Sequence, residues 1–296
     1  MQNQSLLKLF FVINPISGGK EKNDWEKEIR EYFKNSPHSM DFFLLTGKGD
    51  KVSVQRHIET VKPDRVVAVG GDGTVKMMAE ILKETSIPLG ILPAGSANGM
   101  ARELNIPLTV ADALNVIIDG RCSRIDVIRI NEEHICIHLS DIGLNALLVK
   151  YFEESKKRGM WGYGKAIFRV LWEKQKMRVT ITDDKETVKR HAYMVVLANA
   201  RKYGTGANIN PDGDVADGYF EIVVVRKLNL IEVVKAIFTD RSFHPRRIEV
   251  FKTKAAELAI HTKAHFQIDG EYFGKTRLIQ ARVLPQVLYI MQPNEV

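Results

Sequence analysis

Arg65-Val66-Val67-Ala68-Val69-Gly70-Gly71-Asp72-Gly73-Thr74 is the stretch on which the reading of this chain turns. Its first half is a short run of branched and small apolar residues, which reads as a buried strand. Its second half sets one carboxylate among three glycines, and the spacing predicts a helix over Val75 to Lys83. Working outward, two more strand-like runs end the same way. Leu9 to Ile13 runs into Asn14-Pro15-Ile16-Ser17-Gly18-Gly19, and Leu89 to Leu92 runs into Pro93-Ala94-Gly95-Ser96-Ala97-Asn98-Gly99.

Helical spacing fills the gaps. Trp25, Ile29, Tyr32 and Phe33 recur on one face, with Asp24 placed to cap the start. Phe42 to Leu45 reads as a strand closed by Thr46-Gly47, and Val54 to Val61 as a helix stopped by Pro63. Helices follow near Met100 to Leu104 and Val110 to Ile118. Strands alternating with helices imply an α/β domain with a doubly wound parallel sheet. Ligands in such a sheet bind beyond the carboxyl ends of the strands.

The rhythm changes after about Gly120. Strand-like segments recur at Arg124 to Ile130, Ile135 to Leu139, Arg178 to Thr182, Ala192 to Ala198, Tyr219 to Val225, Arg247 to Lys252, Glu257 to His261, Phe266 to Ile268 and Leu288 to Met291. Only Leu144 to Glu154 and Leu230 to Phe238 read as helices. The expectation is an α/β domain over 1–125 and a mainly antiparallel, β-rich domain over 126–296, whose C-terminal segment is free to return to the first domain.

The 296 residues suit two domains. The charge of +7 fits an enzyme that meets phosphates or an anionic surface, and equally a plain basic protein; Lys156-Lys157-Arg158 is its densest cluster and Arg246-Arg247 a smaller one. No run approaches the roughly 18 apolar residues that span a bilayer. Lys8 interrupts the apolar start, which makes it a poor signal peptide, and two cysteines suit a reducing compartment. A cytoplasmic protein is expected.

Glycine lets a backbone turn sharply and approach a ligand. Successive N–H groups at such turns, backed by a helix N-terminus, cradle anions. Three such turns on one sheet edge suit the phosphates and sugar of a nucleotide. Asp72 would be out of place in a purely anionic cradle. It makes sense if it handles magnesium or orients an attacking hydroxyl.

Gly70-Gly71-Asp72-Gly73-Thr74 resembles the signature of the superfamily of diacylglycerol kinases, sphingosine kinases, NAD kinases and, more remotely, phosphofructokinases. Asn14-Pro15-x-Ser17-Gly18 and Leu92 to Asn98 resemble its lipid-kinase branch, the diacylglycerol kinase catalytic-domain family. That resemblance covers nearly the whole chain, and implies that 1–125 is a nucleotide-binding α/β domain and 126–296 a lipid-receiving β-sandwich. It implies an ATP- and Mg2+-dependent lipid kinase acting on a diacylglycerol-like or sphingoid-type hydroxyl. Asn14, Pro15, Ser17, Gly18, Thr46, Gly70, Gly71, Asp72, Gly73, Thr74, Ser96 and Asn98 would bind the nucleotide. Ile268-Asp269-Gly270-Glu271 resembles the family's Asp-Gly-Glu turn, and implies Glu271 as proton acceptor beside Asp72, with the reverse assignment open. Asn210 to Tyr219 resembles a segment that holds structural magnesium through the Asp217 carboxylate and main-chain oxygens of Asp214 and Tyr219.

Two features stand apart. The family commonly continues the glycine turn with an apolar residue and Asn-Glu, where this chain has Val75, Lys76 and Met77. Lys76 either faces the nucleotide or points to solvent. His134, Cys136 and His138 alternate, which on a strand gives one half-buried face. The resemblance implies a membrane lipid as partner, reached by peripheral contact. A homodimer is admitted, and no nucleic acid is expected. The alternatives are a kinase of a soluble acceptor such as NAD, or a regulator that binds nucleotide or lipid without catalysis.

Overall fold

The computed structural model describes residues 6–17, 25–154, 175–201, 209–210, 213–227 and 248–294. The chain divides into two compact units. One is Met1–Ile125 with Gln286–Val296, the other Asp126–Pro285.

In the first unit the order is β1 (Lys8–Ile13), α1 (Trp25–Tyr32), β2 (Ser39–Leu44), α2 (Asp50–Val61), β3 (Arg65–Gly70), α3 (Asp72–Leu82), β4 (Leu89–Pro93), α4 (Gly99–Glu103) and α5 (Val110–Asp119). The strands are parallel: β1 pairs with β2 and β3, and β3 with β4. Leu9 to Val12 and Val66 to Val69 are fully buried. That is why both runs are apolar throughout rather than alternating: helices cover both faces of such a sheet. Ile290, from the last strand of the chain, pairs in parallel with Leu89.

Two helices begin earlier than the apolar periodicity predicts. α2 starts at Asp50 rather than Val54, and α3 at Asp72 rather than Val75. Their first turns carry polar and glycine residues, which leave no apolar trace. Asp72, Gly73 and Thr74 therefore belong to a helical turn with Gly71 as its N-cap.

The second unit is built from β5 (Arg121–Ile130), β6 (His134–Cys136), β7 (Leu139–Gly143), α6 (Leu144–Glu154), β8 (Met177–Asp183), β9 (Thr187–Ala192), β10 (Met194–Ala198), β11 (Phe220–Val225), β12 (Ile248–Thr253), β13 (Ala255–Ile268) and β14 (Glu271–Gln292). The first residues of β5 and the last of β14 lie in the first unit. Pairing here is antiparallel along β12-β11-β10-β7-β13, with β8 on β13, β9 on β8 and β6 on β5. β11 shows the two-faced logic of a sandwich strand. Phe220, Ile222 and Val224 join one apolar cluster, while Val223 and Val225 join another on the opposite face.

Three further departures concern strands. β13 is continuous where two short strands were expected, because His261, Thr262 and Lys263 are exposed and lack an apolar signal. β14 begins at Glu271, far ahead of the expected Leu288. β6 ends at Cys136, so His138 lies in the following bend and shares no strand face with His134 and Cys136. No group of three metal-ligating side chains occurs among the described residues. The expected Leu230 to Phe238 helix, Asp24, Lys156-Lys157-Arg158 and Arg246-Arg247 lie outside the described residues.

Candidate active site

In the first unit the glycine-bearing turns follow β1, β3 and β4, on the same edge of a parallel sheet. They are tied together. Asn14 leaves β1 with its N–H donated to Val69 O at 2.9 Å, and its side-chain amide donates to Thr74 Oγ1 at 3.3 Å. Its own oxygens receive Ile16 N–H at 3.2 Å and Ser17 N–H at 3.2 Å, which shapes the first turn. Gly18 lies outside the described residues.

The second and third turns touch through backbone. Ala94 N–H donates to Gly70 O at 2.9 Å. A Cβ at Gly70 would meet Thr74 Oγ1 at 2.3 Å, and one at Gly95 would meet the Gly71 Cα at 2.5 Å. Both positions therefore admit only glycine without a shift of structure. Asn98 sits at φ 52°, accepts Gly95 N–H at 2.8 Å and donates to Gly95 O at 2.9 Å. Its side chain closes the third turn on itself. Ser96 is exposed.

Asp72 uses one carboxylate oxygen to accept Met100 N–H at 3.1 Å, which fastens the start of α4 to the start of α3. Its other oxygen makes no hydrogen bond among the described residues. Thr46 is spent inside its own turn. Its hydroxyl donates to Asp50 Oδ1 at 2.8 Å, while Thr46 N–H and Gly47 N–H also donate to that carboxylate. Burial alone would push the Asp50 carboxyl up, but these hydrogen bonds outweigh it and hold the group below its ordinary range. Lys76 is only 3% exposed, so the solvent-facing alternative is set aside. Met77 is half-buried.

In the second unit, Asp269 (φ 50°) and Gly270 (φ 84°) form a two-residue hairpin turn between β13 and β14. Both central residues are left-handed, as the tight hairpin requires, and Asp-Gly suits it. The Asp269 carboxylate accepts Ile137 N–H at 3.1 Å, His138 N–H at 2.9 Å and the Cys136 thiol at 3.2 Å. Asp269 thus pins the loop after β6. Glu271, opposite Ile268, is exposed.

Sequence reasoning missed what holds this hairpin. Asp141 is 1% exposed and accepts from Asn145 Nδ2 at 2.6 Å and Gln267 Nε2 at 2.5 Å. The Gln267 oxygen then accepts Gly270 N–H at 2.7 Å. The available signal was Ser140-Asp141, a polar pair inside an otherwise apolar strand, since a buried carboxylate must be hydrogen-bonded.

The Asp214 to Tyr219 turn is held by a fully buried carboxylate, Asp126, which accepts Gly218 N–H at 2.6 Å. Asp214 accepts Ala216 N–H at 3.0 Å, and Asp217 accepts Tyr219 N–H at 3.0 Å. The second Asp217 oxygen receives the Lys252 ammonium at 2.5 Å. That hydrogen bond, outweighing burial, holds Lys252 above the usual lysine range. Oxygen donors suit magnesium, but an ion at this turn would have to displace the ammonium.

Comparison with known proteins identifies the family and the fold. Residues 8–130 match the diacylglycerol kinase catalytic domain, and residues 141–292 match the YegS C-terminal NAD kinase beta sandwich-like domain. A diacylglycerol kinase of Staphylococcus saprophyticus is 30% identical over 89% of this chain and 88% of its own length. One from Staphylococcus aureus is 30% identical over 89% of this chain and 86% of its own. Among solved structures, a putative diacylglycerol kinase from Bacillus anthracis superposes with a TM-score of 0.78 at 21% identity, covering 97% of this chain and 98% of that one. A second Bacillus anthracis structure gives 0.75 at 19% identity, covering 97% of each chain.

Proposed function

This chain belongs to the diacylglycerol kinase catalytic-domain family, and from that premise we propose that it transfers the γ-phosphoryl group of ATP to the hydroxyl of a membrane lipid. The observation that carries the reading is the linkage of the three turns on one sheet edge, through Asn14 to Thr74, Gly71 against Gly95 and Asp72 to Met100. The Gly70 to Thr74 turn wraps the phosphates with the first N–H groups of an eleven-residue helix, ahead of Thr74, whose own N–H goes to Gly71 O at 3.0 Å. Asn14, Pro15 and Ser17 border the nucleotide on one side, and Ser96 and Asn98 on the other; Gly18, outside the described residues, remains a nucleotide contact by family resemblance alone. Thr46 acts indirectly, by shaping its turn with Asp50.

Phosphoryl transfer asks the protein for positioning and charge stabilisation more than covalent chemistry. The lipid oxygen forms its bond to Pγ as the bond from Pγ to the bridging oxygen breaks, and ADP leaves with that electron pair. Asp72 orients the reactants through its second oxygen. Glu271, an exposed carboxylate on a pinned hairpin, takes the hydroxyl proton. Magnesium, when bound, neutralises phosphate charge. A separate, structural magnesium would be held by the Asp217 carboxylate and main-chain oxygens of Asp214 and Tyr219, on condition that Lys252 gives way.

The acceptor is a diacylglycerol-like or sphingoid-type lipid, reached from the cytoplasm by peripheral contact. The relatives named diacylglycerol kinase favour the first. No described helix is long and apolar enough to cross a membrane. The test is transfer from labelled ATP to diacylglycerol, phosphatidylglycerol, monoacylglycerol, a sphingoid base and ceramide in neutral mixed micelles, with NAD in parallel. Labelled lipid that disappears in Asp72→Ala and Glu271→Ala supports the reading. Label in NAD alone, or ATP binding with no transfer at all, overturns it.

A further inference from the structure

Lys176 precedes β8, Lys189, Arg190 and His191 lie on β9, and Arg226 and Lys227 follow β11. Sheet register gathers them. Met177 pairs with Ala192, and Tyr193 N–H donates to Val225 O at 2.9 Å. The six line a recess of about 280 Å³, and every lining residue among those described is basic.

Two carboxylates answer them: Glu249 by direct contact and Glu186 by its charge on Arg190 alone. Glu249 takes a two-pronged hydrogen bond from Arg190 at 2.7 and 2.6 Å, and lies 3.7 Å from Arg226. Five permanent cations against these two carboxylates leave an excess of three, before His191 is counted. Lys176, Lys189, His191 and Lys227 have no carboxylate within ion-pair distance among the described residues. Crowded like charge destabilises a fold unless counter-ions gather there, so the recess favours anions.

We propose that this recess is a docking surface for anionic membrane lipid, with headgroup phosphates entering between the basic side chains. Five of the six residues are exposed. They form an open set of long, adaptable arms, which suits an array of phosphates better than one small enclosed anion. The Lys176 ammonium lies 5.3 Å from the centre of the half-buried Tyr193 ring, and such amphipathic rings favour the membrane interface. The choice of a bilayer over a free phosphate rests on the lipid-kinase reading above. None of the six residues takes part in the proposed transfer.

The experiment is flotation of the full chain with vesicles of phosphatidylcholine, alone or mixed with phosphatidylglycerol, at low and high salt. Wild type should bind only the phosphatidylglycerol vesicles, and less at high salt. The Lys189→Glu/Arg226→Glu/Lys227→Glu variant should bind about tenfold more weakly or worse, with its melting transition retained. The neutral Lys189→Gln/Lys227→Gln variant should fall between, which guards against a folding defect in the first. Micellar activity, which needs no charged surface, should survive in both. Equal binding to both vesicle types, or undiminished binding by the triple variant, overturns the proposal. So does inorganic phosphate that abolishes binding at concentrations where equal sulfate does not, since that marks a soluble-anion site. Charge-dependent vesicle binding with no lipid phosphorylated would leave the docking surface standing and remove the kinase reading.

Discussion

Asp72 and Asp269 both stand beside glycine in short motifs, and their letters alone would give them similar tasks. Their surroundings separate them. Asp72 begins a helix, gives one oxygen to Met100 N–H, and keeps the other outside any hydrogen bond among the described residues. Asp269 holds a left-handed hairpin position, and its two oxygens take two backbone N–H groups and a thiol. A carboxylate whose acceptors are all engaged by its own fold is a structural part. One with an oxygen in reserve can act on a ligand. Hydrogen-bond accounting makes that distinction where motif matching does not.

The largest expected effect tests this contrast directly. Asp72→Asn keeps an acceptor for Met100 N–H, so its melting temperature should stay near wild type while transfer rate falls by about two to four orders of magnitude. Asp269→Asn should do the reverse. It sets an amide NH2 against donors and should cost about 1.5–3 kcal/mol of stability, with activity per folded molecule largely kept. Equal loss of stability in both variants would erase the distinction. Next comes Gly95→Ala, whose Cβ meets backbone that cannot swing aside. A cost of about 1–3 kcal/mol or more is expected, read by denaturant unfolding, together with weaker ATP binding.

Lys252→Met sharpens the comparison from the other side, by freeing the second Asp217 oxygen. Magnesium should then raise the melting temperature of the variant more than that of wild type, by a few °C at most for about 1 kcal/mol of binding. An equal response in both would place any stabilising ion elsewhere. The smallest effect is Asp50→Asn. The Asp50 carboxyl is held low in the folded state, so it contributes stability above the ordinary carboxylate range. That contribution fades as pH falls through the depressed value. The variant should melt less than about 4 °C below wild type at neutral pH, with the gap closing in acid.

What could be read in the sequence follows from what each residue faces. β1 and β3 are apolar because both of their faces are buried, and in the second and third turns Gly70 and Gly95 leave no room for a Cβ. β9 went unread because Thr187, Lys189 and His191 are exposed along a strand that, among the described residues, pairs with β8 alone. The Thr46 assignment was legible as a position, but that its hydroxyl turns inward to Asp50 depends on a first helical turn with no apolar pattern. The reserve of Asp72 and the commitment of Asp269 depend on Met100, Ile137 and His138, residues distant in the chain. No local pattern carries that information.

The last strand also sets how late in synthesis the first unit can complete its fold. Gln286–Val296 belong to the first unit, where Leu288, Ile290 and Met291 are buried and Ile290 pairs with Leu89. Those residues leave the ribosome only after the whole second unit. At about 5–20 residues per second, the first-made half waits roughly ten to thirty seconds for its final strand. During that wait one edge of β4 lacks its partner, and a chain cut short near its end would cripple the part made first.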